Sequence, residues 1–235
     1  MNNDHSPKKN IIHLCIDLET LSLQPDAAII QMAALPFNPE EPEHIDHVTW
    51  THPDGQQRTL DLEPYYCSVN ATTCALYGMH FDMDTVRWWS QASSEAKMAI
   101  YSARVEHIHD ALEGLVNYLQ SIRNQVPDSQ LRIWTQGTDF DVPILRSAFF
   151  RVLSMADTPW HRTELRDART YCLTVLELMG ADMQKPYDFL EPYRPKEEEE
   201  WVRHDALLDA RRTAINVALC HRFLSPRFSD AASCG

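Results

Sequence analysis

The sequence predicts an α/β domain, a mixed five-stranded sheet with helices on both faces. Three observations predict it. β-rich runs fill most of residues 11 to 51, helical periodicity takes over from 69 to 124, and beyond residue 130 strands and helices alternate. A chain of 235 residues suits one substantial domain, and it carries no internal repeat and no linker that would divide it.

The elements follow in order. IIHLCIDLET (11 to 20) is an apolar run of strand length, and AAIIQMAALPF (27 to 37) follows it after a polar turn around Pro25 and Asp26. DHVTWT (46 to 51) is expected to be the third strand of an antiparallel meander, with 52 to 68 turn-rich and irregular. Helices are expected in ATTCALYGM, DTVRWWSQ, SEAKMAIYS and the amphipathic HIHDALEGLVNYLQSIR. LRIWTQ (131 to 136) returns to strand, FDVPILRSAFFRVL is helix, and TELRD (163 to 167) is a short strand. DARTYCLTVLELMG is a helix closed by Gly180, with Asp167 as its cap. Residues 181 to 202 read as a loop ending in a solvated EEEEW, and DALLDARRTAINVALCHRF is the last helix. Residues 1 to 10 are expected to be a polar leader, 11 to 224 the domain, and 225 to 235 a flexible tail.

Composition narrows the function. Hydrophobic residues at 44% with 23% charged describe a globular chain. A net charge of −13 argues against broad attachment to nucleic acid through a basic surface, while leaving room for a local, metal-assisted site. The six cysteines form no CxxC pair or zinc spacing, the first ten residues lack the apolar core of a signal peptide, and no run is long enough to span a membrane. The expectation is a reduced, cytoplasmic protein without membrane partners. No GxGxxG or GxxxxGK[ST] loop occurs among only six glycines.

The first strand ends in two acids. Asp17 and Glu19 are two residues apart, so they share a face a few ångströms from each other. Anions that close repel, so either one stays protonated or a cation sits between them. Later acids join them. Asp141 follows an aromatic at the strand-to-helix turn of WTQGTDFDVPIL, with Asp139 a competing ligand and a natural helix cap. His204 and Asp209 are five residues apart in HDALLDA, about 140° apart on a helix. The geometry improves if His204 precedes the helix, with Asp205 as the N-cap and Asp209 in the first turns.

DxE on the first strand, FD at a later strand-to-helix turn and HxxxxD opening the last helix together resemble the DEDDh family of 3′-5′ exonucleases, over roughly residues 11 to 222. DLETLSLQPDAAIIQMAALPF, DTVRWWSQASSEA, GTDFD and RDART resemble the branch containing phage exonuclease A and a group of mycobacterial exoribonucleases. The resemblance implies a ribonuclease H-like fold and two Mg²⁺ or Mn²⁺ ions. It implies that Asp17 bridges both, that Glu19 and Asp209 hold the ion that activates water, that Asp141 supports the other, and that His204 is the general base. The FD pattern favours Asp141 over Asp139. Thr20 and Leu21 resemble the positions that meet the terminal nucleotide, although packing at a strand end accounts equally well for them. Gln136 stands where the family often has Asn, and its longer reach alters that substrate contact.

One of the adjacent Trp88 and Trp89 is expected to be core and the other a stacking platform for a base. The arginines at 146, 151, 162, 166 and 169 are read mainly as local ion-pair partners of Asp157, Glu164 and Asp167. The expected function is removal of nucleoside 5′-monophosphates from 3′ ends of single-stranded DNA or RNA. The alternatives are an enzyme specific for RNA ends and, remotely, an inactive scaffold, which retention of all five motif residues disfavours. A homodimer is expected from the apolar and aromatic excess of 69 to 124.

Overall fold

The computed structural model describes residues 10 to 101, 103 to 195 and 202 to 225. The expected leader and tail and the EEEEW stretch fall almost entirely outside the described residues. The chain begins with β1 (Ile11–Thr20) and β2 (Ile29–Phe37), antiparallel to one another and buried nearly throughout. β3 (Thr49–Thr51) and β4 (Gln57–Thr59) follow, then β5 (Tyr65–Val69). Three short helices come next: α1 (Ala71–Ala75), α2 (Met83–Gln91) and α3 (Ser94–Ala99). β6 (Val105–Glu106), α4 (Ile108–Gln125), β7 (Gln130–Thr135) and α5 (Asp141–Leu153) lead to β8 (Leu165–Asp167), α6 (Ala168–Leu178) and α7 (Ala206–Phe223).

The main sheet has six strands in the order β6-β5-β2-β1-β7-β8, and β3-β4 form a separate hairpin. Two expectations are corrected. The meander's third strand is Tyr65–Val69, antiparallel to β2, while Thr49–Thr51 pairs outside the main sheet. The exposed residues of β3 and β4 show why: Trp50 is the one apolar anchor of that hairpin, whereas Cys67, Ser68 and Val69 are buried against β2. β6 is the sixth strand, two residues long and therefore without a readable alternation. Residues 186 to 193, expected as loop, form a 3-10 turn whose Leu190 is fully buried.

Alternation along β1 divides the protein into two layers. Ile12, Leu14, Ile16 and Leu18 pack with α4 and α5, including Leu112, Leu119, Ile144 and Phe149. Cys15 belongs to the opposite core, with Trp134, α6 and α7. Asp17 and Glu19 therefore continue the face that α7 covers, and they stand where that core gives way to a cleft. Among the described residues no helix is long and apolar enough to cross a membrane. Five cysteines are buried free thiols.

Candidate active site

Each acid reaches the cleft from a different element. Asp17 and Glu19 come from the end of β1, Asp141 from the first residue of α5, and Asp209 from the first turn of α7. All four line one cleft of about 520 Å³. Asp141 is 3% exposed and accepts hydrogen bonds from its own amide and that of Leu18, which ties the start of α5 to β1. The residue before it, Phe140, occupies the N-cap position without a side-chain cap, so Asp139 is exposed and does not serve as the expected cap.

His204 precedes α7 as expected. Asp205 caps the helix by accepting from the amides of Leu207 and Leu208. The His204 backbone is left-handed, with φ of 67°, a conformation that costs a non-glycine residue about 1 to 2 kcal/mol. What it secures is local: the His204 amide donates to the Asp209 carboxylate at 2.9 Å, and Nδ1 lies 3.9 Å from Glu19 Oε1. Ligand atoms of Glu19, His204 and Asp209 all fall within 4.8 Å of one another.

A buried polar network fixes this corner. Gln31 on β2 is fully buried, donates to Tyr66 Oη and the Ala99 carbonyl, and accepts from the Ala206 amide. Tyr66 Oη donates to Asp205 at 2.6 Å. Two of these bonds orient the first turn of α7, so Gln31 through Ala206 and Tyr66 through Asp205 hold His204 and Asp209 in place. Neither was flagged from sequence. Their signal, a polar residue inside the apolar run IIQMAALPF, was present but reads equally as a strand defect.

The electrostatics are those of anions kept too close and too dry. Burial first, then Asp141, Glu19 and Asp209, push Asp17 well above its ordinary range. Burial, with Asp209 and Asp141 behind it, raises Glu19 to about 8. Burial raises Asp141 to about 7 against the opposing pull of its two amide bonds and of Arg169. Such a site takes up either protons or a cation, and hard carboxylate oxygens suit a hard divalent ion.

The remaining expected residues separate. Gln136 lines the cleft and contacts Tyr187 and Thr213 at 3.5 and 3.3 Å. Of the tryptophans, Trp89 is buried and donates to the Thr20 carbonyl, while Trp88 is 46% exposed. Trp88 sets its ring edge-on to His204, centroids 4.8 Å apart. Thr20 and Leu21 are not among the cleft lining. The Thr20 hydroxyl donates to the Ser22 carbonyl, and Leu21 packs against the core. Arg151 pairs with Asp26 instead of its expected neighbours, and Arg169 lines the cleft beside Asp141. Arg203 and Arg212 also line it and were not singled out, although each lies within three residues of a motif residue. Asp167 joins two motifs: it accepts from Thr138 of GTDFD and from Thr170 of its own RDART, in the first turn of α6. Burial opposes its ionisation, but these amides prevail and hold its pKa below the ordinary value.

With that geometry in place, the chain matches a family model, the 3′-5′ exoribonuclease Rv2179c-like domain, across residues 12 to 221. It belongs to that family. The match spans β1 through α7 and so includes every element that supplies the family member's cleft. No curated protein sequence matches it. Among solved structures, the zinc-bound complex of E. coli ExoI with single-stranded DNA superposes at a TM-score of 0.53 with 18% identity. That alignment covers 96% of this chain and 43% of the ExoI chain, so this protein spans less than half of that relative's length. At this identity the likeness concerns the fold, which is ribonuclease H-like.

Proposed function

We propose that this family member is a two-metal-ion 3′-5′ exonuclease that hydrolyses the terminal phosphodiester bond of single-stranded DNA or RNA and releases nucleoside 5′-monophosphates. One observation carries the reading: four carboxylates from three separated elements converge on a single cleft beside a histidine. Asp17, Glu19, Asp141 and Asp209 would hold two Mg²⁺ or Mn²⁺ ions. Bound there, the ions would supply the charge that stabilises both the attacking and the leaving oxygen of an in-line displacement.

The chain's own residues do the rest. Neutral His204 takes a proton from the attacking water, a role suited to an imidazole within reach of Glu19 and fixed at the helix start by the Asp209 contact. Arg169 brings positive charge to the Asp141 side of the cleft, where a scissile phosphate would need it. Gln136 would receive the terminal nucleotide from the cleft wall. The exposed face of Trp88 would stack the base.

The family description favours RNA ends, and the ExoI complex holds single-stranded DNA. The RNA-specific reading is therefore kept beside the broader one. A homodimer is part of the proposal, supported by Met83, Met98 and Tyr101, all exposed on or beside α2 and α3. A reducing, cytoplasmic setting is supported by the five free thiols. The decisive assay uses 5′-labelled single-stranded DNA and RNA of equal sequence with Mn²⁺. Ladders shortened from the 3′ end are expected, absent for Asp17→Ala. Cleavage of a closed circular strand as fast as a linear one would overturn the reading.

A further inference from the structure

A second cavity lies on the same face of the sheet, at the opposite end. β1 carries His13 four residues before Asp17, about 13 Å back along the strand. α7 brings His221 and Arg222 there in its last turn, about 18 Å along the helix from Asp209. Cross-strand register completes the wall. His13 stands beside Arg132, and Trp134 beside Arg166, so these side chains emerge on one face. The cavity measures about 990 Å³, at the top of the ~300–1,000 Å³ range of small-molecule sites.

Its charge runs against that of the chain. In a protein of net charge −13, three arginines line this cavity with Glu40 as the one lining acid among the described residues. Arg222 is paired with Glu43. Among the described residues Arg166 donates to the backbone carbonyls of Thr163 and Leu165, and neither bond neutralises it. Arg132 has no ion pair among the described residues, and its Nε is buried without a hydrogen-bond partner.

His13 adds a donor to the lining. It is nine-tenths buried, and its Nδ1 receives the Trp134 indole N–H at 3.0 Å. With Nδ1 used as the acceptor, the neutral ring carries its proton on Nε2. Burial, and then the field of Arg132, keep the ring neutral by lowering its pKa to about 3. Two guanidinium groups and an imidazole N–H against one carboxylate describe an anion site, and guanidinium forks match phosphate oxygens. Beside them Tyr171 and Val217 offer apolar and aromatic surface for a planar group.

We propose that this cavity binds a nucleoside 5′-monophosphate, with its phosphate on Arg132 and Arg166 and its base against Tyr171. The site is separate from the four-carboxylate cleft and does not depend on the catalytic reading. Calorimetric titration with adenosine 5′-monophosphate tests it, using full-length Asp17→Asn protein in excess EDTA so that the catalytic cleft takes no metal-bridged phosphate. Binding is expected. Adenosine should fail to bind, inorganic phosphate should compete, and Arg132→Gln and Arg166→Gln should each weaken affinity about tenfold or more. Both variants should show the parent protein's circular dichroism and cooperative melting, which establishes that they fold. Should Arg132→Gln fail that control, Arg166→Gln carries the test alone. The proposal is overturned if the nucleotide does not bind, if adenosine binds equally well, or if the folded variants bind unchanged. A 5′-phosphorylated oligonucleotide that binds where the free nucleotide does not would also overturn it, assigning the site to a strand end.

Discussion

Replacing Glu19 by Gln in the metal-free protein should shrink the loss of folding stability that the wild type suffers as the pH rises. Glu19 is 9% exposed, and its pKa rises from 4.5 to about 8. The folded state therefore holds that proton more tightly than the unfolded chain does. The resulting stability is fully present below pH 4.5 and is lost as the pH rises through about 8. At about 1.4 kcal/mol per pH unit, the interval from 4.5 to about 8 sets a ceiling of about 5 kcal/mol. Asp209 and Asp141 contribute to the shift and relax along with Glu19, so a loss of about 2 kcal/mol is the working figure. Asp17 and Asp141 shift in the same direction and steepen the wild-type decline. Urea denaturation in excess EDTA at pH 5 and pH 8.5 measures it. The two proteins should be equally stable at pH 5, and the variant should be the more stable at pH 8.5, by about 2 kcal/mol in unfolding free energy. Saturating Mn²⁺ should reverse the order at pH 8.5. Parallel pH profiles in EDTA would show that the carboxylate repulsion is not there.

Other perturbations separate the parts of the site. His204→Ala should lower the catalytic rate by roughly 10²-fold or more while leaving Mn²⁺ affinity within about twofold, and a wild-type rate would refute its role as base. Tyr66→Phe removes a bond to the Asp205 carboxylate and leaves Gln31 short of an acceptor, so a stability loss of about 2 kcal/mol should accompany a slower rate. Unchanged melting with unchanged turnover would show that the network holds nothing. Trp88→Ala should raise KM for single strands roughly tenfold without altering metal affinity, and an unaltered KM would remove the stacking platform.

Much of the site was legible because its residues sit where backbone geometry is regular. Period-two alternation put Asp17 and Glu19 on one face, and a recognisable N-cap placed His204 just ahead of the last helix. What stayed hidden depends on pairing across distance. YYCSV has strand composition, but only contact with β2 raises it above the hairpin at Thr49–Thr51 as the meander's third strand. Gln31 looks like a defect until Tyr66, Ala99 and Ala206 arrive around it. Arg132 and Arg166 lie 34 positions apart in the sequence, and the β7-β8 register alone brings them to one cavity. The expected cap at Asp139 failed because Asp141 satisfies the helix start itself, its carboxylate accepting from its own amide.

Mn²⁺ binding at pH 7, followed by calorimetry in two buffers of different ionisation enthalpy, tests the central claim most directly. Glu19 at about 8, Asp141 at about 7 and a raised Asp17 must give up protons when a cation takes their place. Net release of at least about one proton per protein is expected, with binding abolished in Asp17→Asn. Heats that do not depend on the buffer, or Mn²⁺ binding that survives Asp17→Asn unchanged, would contradict a metal site built from these carboxylates.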